Sequence, residues 1–151
     1  MPFASEDLSQ QDYRLLEATL QRAAKLLRRK RWSKGAPAQD AAGAEVDLAD
    51  PRAGAFCIAG AFLRAGNCLD NTAVRKGMAL LHRAAREVSG DDAADLFDLN
   101  DNPQIAKKDA VAVLARAARL VAREQAGFLG AGAAATSAGS HPYPVAGADR
   151  Q

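Results

Sequence analysis

Tyr13, Leu16, Leu20, Ala23 and Leu27 recur at steps of three and four, so a helix over residues 10–30 carries one continuous apolar stripe. A strand cannot use this spacing, because alternate side chains point to opposite faces and the stripe would be divided between them. Val74, Met78, Leu81, Ala85 and Val88 repeat the pattern, as do Val111, Leu114, Ala118 and Val121. Composition agrees: 48% of residues are hydrophobic but only 5% aromatic, so alanine carries much of the apolar count. Alanine loses no side-chain entropy on entering a helix.

Boundary signals divide the chain. Ser9 is placed to cap the first helix, with Asp12 three residues on as a variant capping box, and the cationic end suits the negative pole of the helix dipole. Gly35, Pro37 and Gly43 then break the chain into a loop reaching about Ala49. Asp50-Pro51 reads as the start of a second helix, an acidic cap followed by proline at the first helical position. Ala55, Phe56, Ala59, Phe62 and Leu63 form its expected buried side, and Gly66 its stop. Gly60 inside it costs about 1 kcal/mol relative to alanine, which suggests close approach of another backbone. A third helix is expected from Asp70 or Asn71 to Gly90.

Asp91 to Asn102 reads as a helical turn leading into a loop at Asn100-Asp101-Asn102-Pro103, before a last helix over about Ala106 to Gln125. From Gly127 the chain turns to Gly, Ala, Ser and Pro without periodicity, a composition expected to stay disordered. No strand pattern is evident. The expected architecture is an all-α domain over residues 1–126, a small bundle of about four main helices, with a disordered tail over 127–151.

Several function classes are disfavoured. Twenty Lys+Arg against 18 Asp+Glu give a net charge of +2, so only local clustering can attract a polyanion. The longest apolar stretch, Ala53 to Leu63, is far shorter than the roughly 20 residues of a membrane span. The acidic N-terminus lacks a signal-peptide layout, and a cytoplasmic location is expected. Cys57 and Cys68 are eleven residues apart. On a helix that separation is about 16 Å, beyond reach of a disulfide, so both are expected as reduced thiols. Asp91, Asp92, Asp95, Asp98 and Asp101 cluster but do not follow the calcium-loop pattern, and no metal or cofactor is expected. Cys57 beside Phe56 and Ala59 reads as a small core residue, although a Cys57–His82 pair across two packed helices is geometrically conceivable.

Trp32, the single tryptophan, follows the basic run Lys25-Leu26-Leu27-Arg28-Arg29-Lys30-Arg31 and precedes Lys34. It is either an anchor at the edge of the core or a stacking platform in a basic face. In the second case Arg28, Arg29, Arg31, Trp32 and Lys34 are the nucleic-acid-binding candidates, phosphates needing clustered cations and bases an aromatic surface.

Three segments, Trp32-Ser33-Lys34-Gly35-Ala36, Phe56-Cys57-Ile58-Ala59-Gly60-Ala61 and Phe97-Asp98-Leu99-Asn100-Asp101-Asn102-Pro103, resemble a family of small helical domains of unknown function found in bacteria and their phages. The resemblance covers about Tyr13 to Arg123. It implies that Trp32, Cys57, Gly60, Asn100 and Asp101 belong to one framework, and it transfers no activity. Asp40 and Asp101 are candidates to line a cleft beside Trp32. The expected function is a small protein-interaction or regulatory module with an unidentified protein partner and no membrane association. Nucleic-acid binding through Lys25–Lys34 is the alternative, and an enzyme with a cleft lined by Trp32, Asp40, Cys57 and Asp101 is the second. Catalytic residues are not expected on the sequence alone, and the patterns leave the oligomeric state open.

Overall fold

The computed structural model describes residues 8–139. The chain forms α1 (Gln10–Arg29), β1 (Arg31–Trp32), β2 (Ala38–Gln39), β3 (Ala55–Phe56), α2 (Ile58–Ala65), α3 (Asn71–Ser89), α4 (Leu96–Asp101) and α5 (Lys107–Gly139). Helices dominate, and the fold is the all-α bundle that the periodicity implies. Residues 140–151, the end of the expected disordered tail, lie outside the described residues. The backbone of α5 runs well past Gln125, the expected end of the last helix. Alanines between Gly127 and Gly139 favour the helix there and offset the glycines.

α1 starts where its cap dictates: the Asp12 N–H donates to Ser9 Oγ at 3.1 Å. Its buried face is Tyr13, Leu16, Thr19, Leu20, Ala23, Ala24 and Leu27. α1 packs most extensively on α5, α3 packs on α5 as well, and α1 and α3 also meet. Ala110, Ala117 and Ala118 of α5 are buried beside Val113, Leu114, Leu120 and Val121, and small side chains let the helix axes approach closely. Val111, expected inside, is only partly buried.

α3 is bounded by the Asp70 cap, whose carboxylate accepts the Ala73 N–H, and by Gly90 in a left-handed conformation at φ 74°. Its buried face, however, is Ala73, Gly77, Leu80, Leu81, Ala84 and Ala85. Val74, Met78 and Val88 lie at the margin, so the helix is rolled relative to the expected face. The cause is Phe62 of α2, fully buried, whose ring fills the position a side chain at residue 77 would need. The helix turns its smallest residue, rather than its larger ones, toward that ring.

Asp50-Pro51 does not start α2. The Asp50 carboxylate accepts the Arg52 N–H at 2.8 Å and its guanidinium at 2.8 and 3.2 Å, closing a turn. Arg64 donates to the carbonyls of Leu48 and Asp50, tying that turn to α2. Ala55 and Phe56, expected on a helix, form β3 instead, the centre of a three-stranded sheet of order β1-β3-β2. β1 pairs with it in parallel (Arg31 with Ala55, Trp32 with Phe56) and β2 antiparallel (Ala38 with Phe56, Gln39 with Ala55). α2 begins only at Ile58, capped by Cys57, and ends at Gly66 as expected.

Gly77→Ala tests the roll of α3. Alanine gains up to about 1 kcal/mol in helix propensity, but its Cβ would overlap the buried Phe62 ring. Overpacking costs typically about 1–3 kcal/mol. The variant is therefore expected to be less stable by about 1–2 kcal/mol in urea unfolding; equal or higher stability would refute this account of the roll.

Candidate functional site

Asn100 organises the region where the three sequence motifs meet. It lies on α4, not in a loop, and its side chain is buried. Its Oδ1 accepts the Trp32 indole N–H at 2.7 Å and the Ile58 backbone N–H at 3.0 Å. Its Nδ2 donates to the Ser33 carbonyl and to Asp101 Oδ1, each at 3.0 Å. Two acceptances and two donations exhaust what an amide side chain offers. One side chain thus joins α4, the segment after β1 and the first turn of α2.

The second layer is backbone. Gly35, at φ 81°, donates its N–H to Asp101 Oδ1 at 2.9 Å. Ser33 Oγ donates to the Ala36 carbonyl at 2.8 Å, and the Ser33 N–H reaches the Phe56 carbonyl at 2.9 Å. The Pro37 carbonyl accepts the Cys57 N–H at 3.2 Å. Gly60 stands in the first turn of α2, where a Cβ would overlap that same Pro37 carbonyl. The close backbone approach expected at Gly60 is present, and the partner is the 33–37 segment.

Cys57 Sγ accepts the Gly60 N–H at 3.1 Å, so the thiol takes the capping place usually held by Ser, Thr, Asp or Asn. Burial pushes the thiol pKa up, and the Asp101 charge adds to the rise against the backbone N–H bonds that lower it. Cys57 is therefore protonated at neutral pH and a poor nucleophile. His82 is engaged elsewhere: its Nδ1 accepts the Leu96 N–H at 3.3 Å, and its ring meets the Phe97 ring edge-on at 5.8 Å. The conceivable Cys57–His82 pair is not formed.

Trp32 is half-buried against the core. Lys34 Nζ lies 4.7 Å from the centre of its ring and donates to the Asn102 carbonyl at 2.7 Å. Arg31 donates to the carbonyls of Asp40 and Ala41. Arg28 and Arg29 remain exposed on α1. Of the five residues weighed for nucleic-acid binding, Arg31 bonds within the 31–41 segment, Trp32 and Lys34 bond to Asn100 and Asn102 at the end of α4, and Arg28 and Arg29 project from α1. Asp40 stands apart from the Asn100 cluster, its Oδ1 accepting the Ala42 and Ala44 N–H groups at 2.9 Å in its own turn.

Beside Asn100 lies a pocket of about 230 Å³, lined by Gly35, Ala36, Pro37, Cys57, Ala59, Gly60, Leu63, Met78, Phe97, Asn100 and Asp101. Of the expected cleft residues Cys57 and Asp101 line it, while Trp32 and Asp40 do not. Phe97 is 49% exposed, the one large hydrophobic side chain so placed among the described residues. Sequence reasoning did not single out Phe97 or Met78 as site residues. An available signal was Phe97 itself, an aromatic among aspartates on so short a segment, with little core to enter. On the other side of α4 a more polar cleft of about 510 Å³ is lined by Asp91, Asp95, Asp98 and Asp109 among others. Among the described residues no three His, Cys, Asp or Glu side chains converge as a metal site would require.

Residues 13–120, from α1 through most of α5, match the family model described as "Family of unknown function (DUF6197)". The chain belongs to that family. The matched span holds all three motifs and the whole pocket of this DUF6197 domain. No curated protein and no solved structure matches the chain. Among the described residues no helix is long and apolar enough to cross a membrane.

Two outcomes follow from the cluster. Asn100→Asp keeps an acceptor for Trp32 and Ile58 but loses both donations and sets a carboxylate against Asp101. At pH 8 a loss of about 2–4 kcal/mol is expected, from one buried carbonyl left without a donor and one unpaired charge. Burial and the neighbouring carboxylate raise the new group's folded pKa above its unfolded value. The deficit relative to wild type must then shrink as pH falls through that folded pKa. Urea titrations of both proteins from pH 8 to 5 check this, and a deficit that does not vary with pH contradicts it. In thiol labelling of the native protein, the exposed Cys68 is expected to react at once and Cys57 only on unfolding. Two fast thiols would overturn the capping role.

Proposed function

We propose that this domain is a cytoplasmic protein-interaction module that receives an apolar side chain of a partner in the pocket beneath Phe97. The observation that carries this reading is the half-exposed Phe97 ring at the mouth of a pocket walled by Pro37, Ala59, Leu63 and Met78. Leaving a large aromatic in water forgoes part of the roughly 1.5–3 kcal/mol its burial would yield. A partner that covers the ring recovers that gain. The volume, about 230 Å³, is below the usual 300–1,000 Å³ of small-molecule sites and suits one or two protein side chains.

The polar groups of the lining favour binding over chemistry. Asn100 has no free donor or acceptor, and Cys57 is a protonated cap. The Asn100 cluster supplies rigidity, holding the pocket walls on three elements and lowering the ordering cost of binding. The free thiols Cys57 and Cys68 are in keeping with a reducing compartment.

Peptide display on the wild-type domain, with counter-selection on Phe97→Asp, tests the reading. Enriched peptides are expected to share an aromatic or long aliphatic anchor and to lose at least tenfold in affinity for the variant. Sequences without a common apolar anchor, or equal binding to both proteins, would count against it.

A further inference from the structure

The net charge of +2 conceals a separation of charge. Arg14, Arg22, Lys25 and Arg29 lie on the exposed side of α1, within roughly a quarter of its circumference at about 100° per residue, and Arg28 stands at the edge. No acid shares that sector; Glu17 flanks it next to Arg28. From Arg14 to Arg29 the stripe is about 22 Å long at ~1.5 Å per residue. Shallow grooves on either side widen it. The groove toward α5 places Arg119 with Lys25 and Arg28, and holds one acid, Glu17; the one toward α2 places Arg64 with Arg22 and Arg29.

These cations are not neutralised internally. Among the described residues Arg14, Arg22, Lys25, Arg28, Arg29 and Arg119 form no ion pair, whereas Arg52, Lys76, Arg83 and Arg116 each do. Arg22 touches only the Thr19 hydroxyl and the Ala65 carbonyl. Six aspartates meanwhile crowd residues 91–109 around α4. A surface of one sign holds its field over a Debye length of about 8 Å at physiological salt and attracts an extended polyanion.

We propose that this face of α1, with Arg64 and Arg119 at its margins, docks the phosphate backbone of duplex nucleic acid without reading bases. A row of cations suits the regular phosphates of a duplex, which carries one charge per about 3.4 Å of helix axis on each strand. The stripe has no large apolar residue at its centre to serve as the anchor that protein interfaces use. Arginine forks suit phosphate oxygens. A single strand would want an aromatic platform, and Trp32 is committed to Asn100 and covered by Lys34. The site thus differs from the Trp32-centred one that the sequence suggests.

Fluorescence anisotropy of the full chain with a labelled 24-base-pair DNA duplex of arbitrary sequence, from 20 to 200 mM salt, tests this. For about four neutralised phosphates, affinity should fall roughly a hundredfold between 50 and 200 mM. Lys25→Glu/Arg29→Glu should weaken binding more than tenfold and flatten the salt slope. Arg52→Glu/Arg83→Glu, the same change of net charge off the stripe, should change it less than threefold. Both variants alter exposed side chains, and circular dichroism melts verify that they fold. Absence of binding at 20 mM salt, equal losses in the two variants, or tighter binding of the single strand would overturn the proposal. So would stronger competition by poly-aspartate than by unlabelled duplex at equal charge, which points to an acidic protein. Phe97→Asp should leave duplex binding within threefold, so this site and the apolar pocket stand or fall separately.

Discussion

The amide of Asn100 is the contact on which the region around the pocket depends. It is buried, and each of its four hydrogen-bonding positions meets a different group, on Trp32, Ile58, Ser33 and Asp101. A buried polar side chain is tolerable only when satisfied, so the hub constrains its surroundings as strictly as they constrain it. If α4 shifted by a turn, the indole N–H, the first N–H of α2 and the Ser33 carbonyl would all lose their partner. The sheet is too short, at two residues per strand, to hold β1 and β3 together by itself. The Asn100 bonds to both flanking segments supply the missing constraint.

Alanine explains why so much of the structure must be organised by polar contacts. Ala23, Ala24, Ala84, Ala85, Ala110, Ala117 and Ala118 stand in the core among the larger Leu, Ile, Val and Phe side chains, and where alanines meet, the helices come close but bury little area per residue. Such interfaces carry few of the interlocking large side chains that fix one rotation of a helix over another. Phe62 and Leu16 against Gly77 form one large-to-small contact, and it sets the roll of α3. At the other end of α2, the small Gly60 and Cys57 admit the Pro37 backbone, and the register there is fixed by hydrogen bonds. Large-to-small complementarity governs one end and backbone bonding the other.

This division accounts for what could be read from the chain. Helices α1 and α3 were legible because their signals are local: Ser9 and Asp70 as caps, Gly90 as a stop, and stripes at steps of three and four. The fate of Asp50-Pro51 was not. Its local chemistry suits a helix start, but pairing of Ala55-Phe56 with Arg31-Trp32 holds the chain extended until Cys57. That pairing joins residues 24 positions apart and leaves no periodic trace in two-residue strands. The convergence of Trp32, Cys57, Gly60 and Asn100 was implied by resemblance alone, since no pattern in any one segment specifies the other two. Phe97 is marked in the sequence only as an aromatic among aspartates, because exposure is a property of the assembled surface, and Asp40 is bonded into its own turn, outside the pocket lining.

The position of Trp32 follows from the same physics and decides how the charged surface is to be understood. An indole offers one donor and a large apolar face. Here the donor is spent on Asn100, one side of the ring leans on the core, and the Lys34 ammonium sits over the ring while bonded to the Asn102 carbonyl. Lys34 thereby links the 32–35 segment to the end of α4 a second time, parallel to the Gly35–Asp101 bond. A stacking ligand would have to displace that ammonium from both its carbonyl and its ring. Arg14, Lys25, Arg28 and Arg29 of α1 make no comparable side-chain contacts among the described residues. Structural demand accounts for Trp32 and Lys34, and the negative pole of α1 for Arg28 and Arg29 in its last turn; Arg14 and Lys25 extend the same row to where the dipole gives no reason for it, and it is they that point to a role outside the fold.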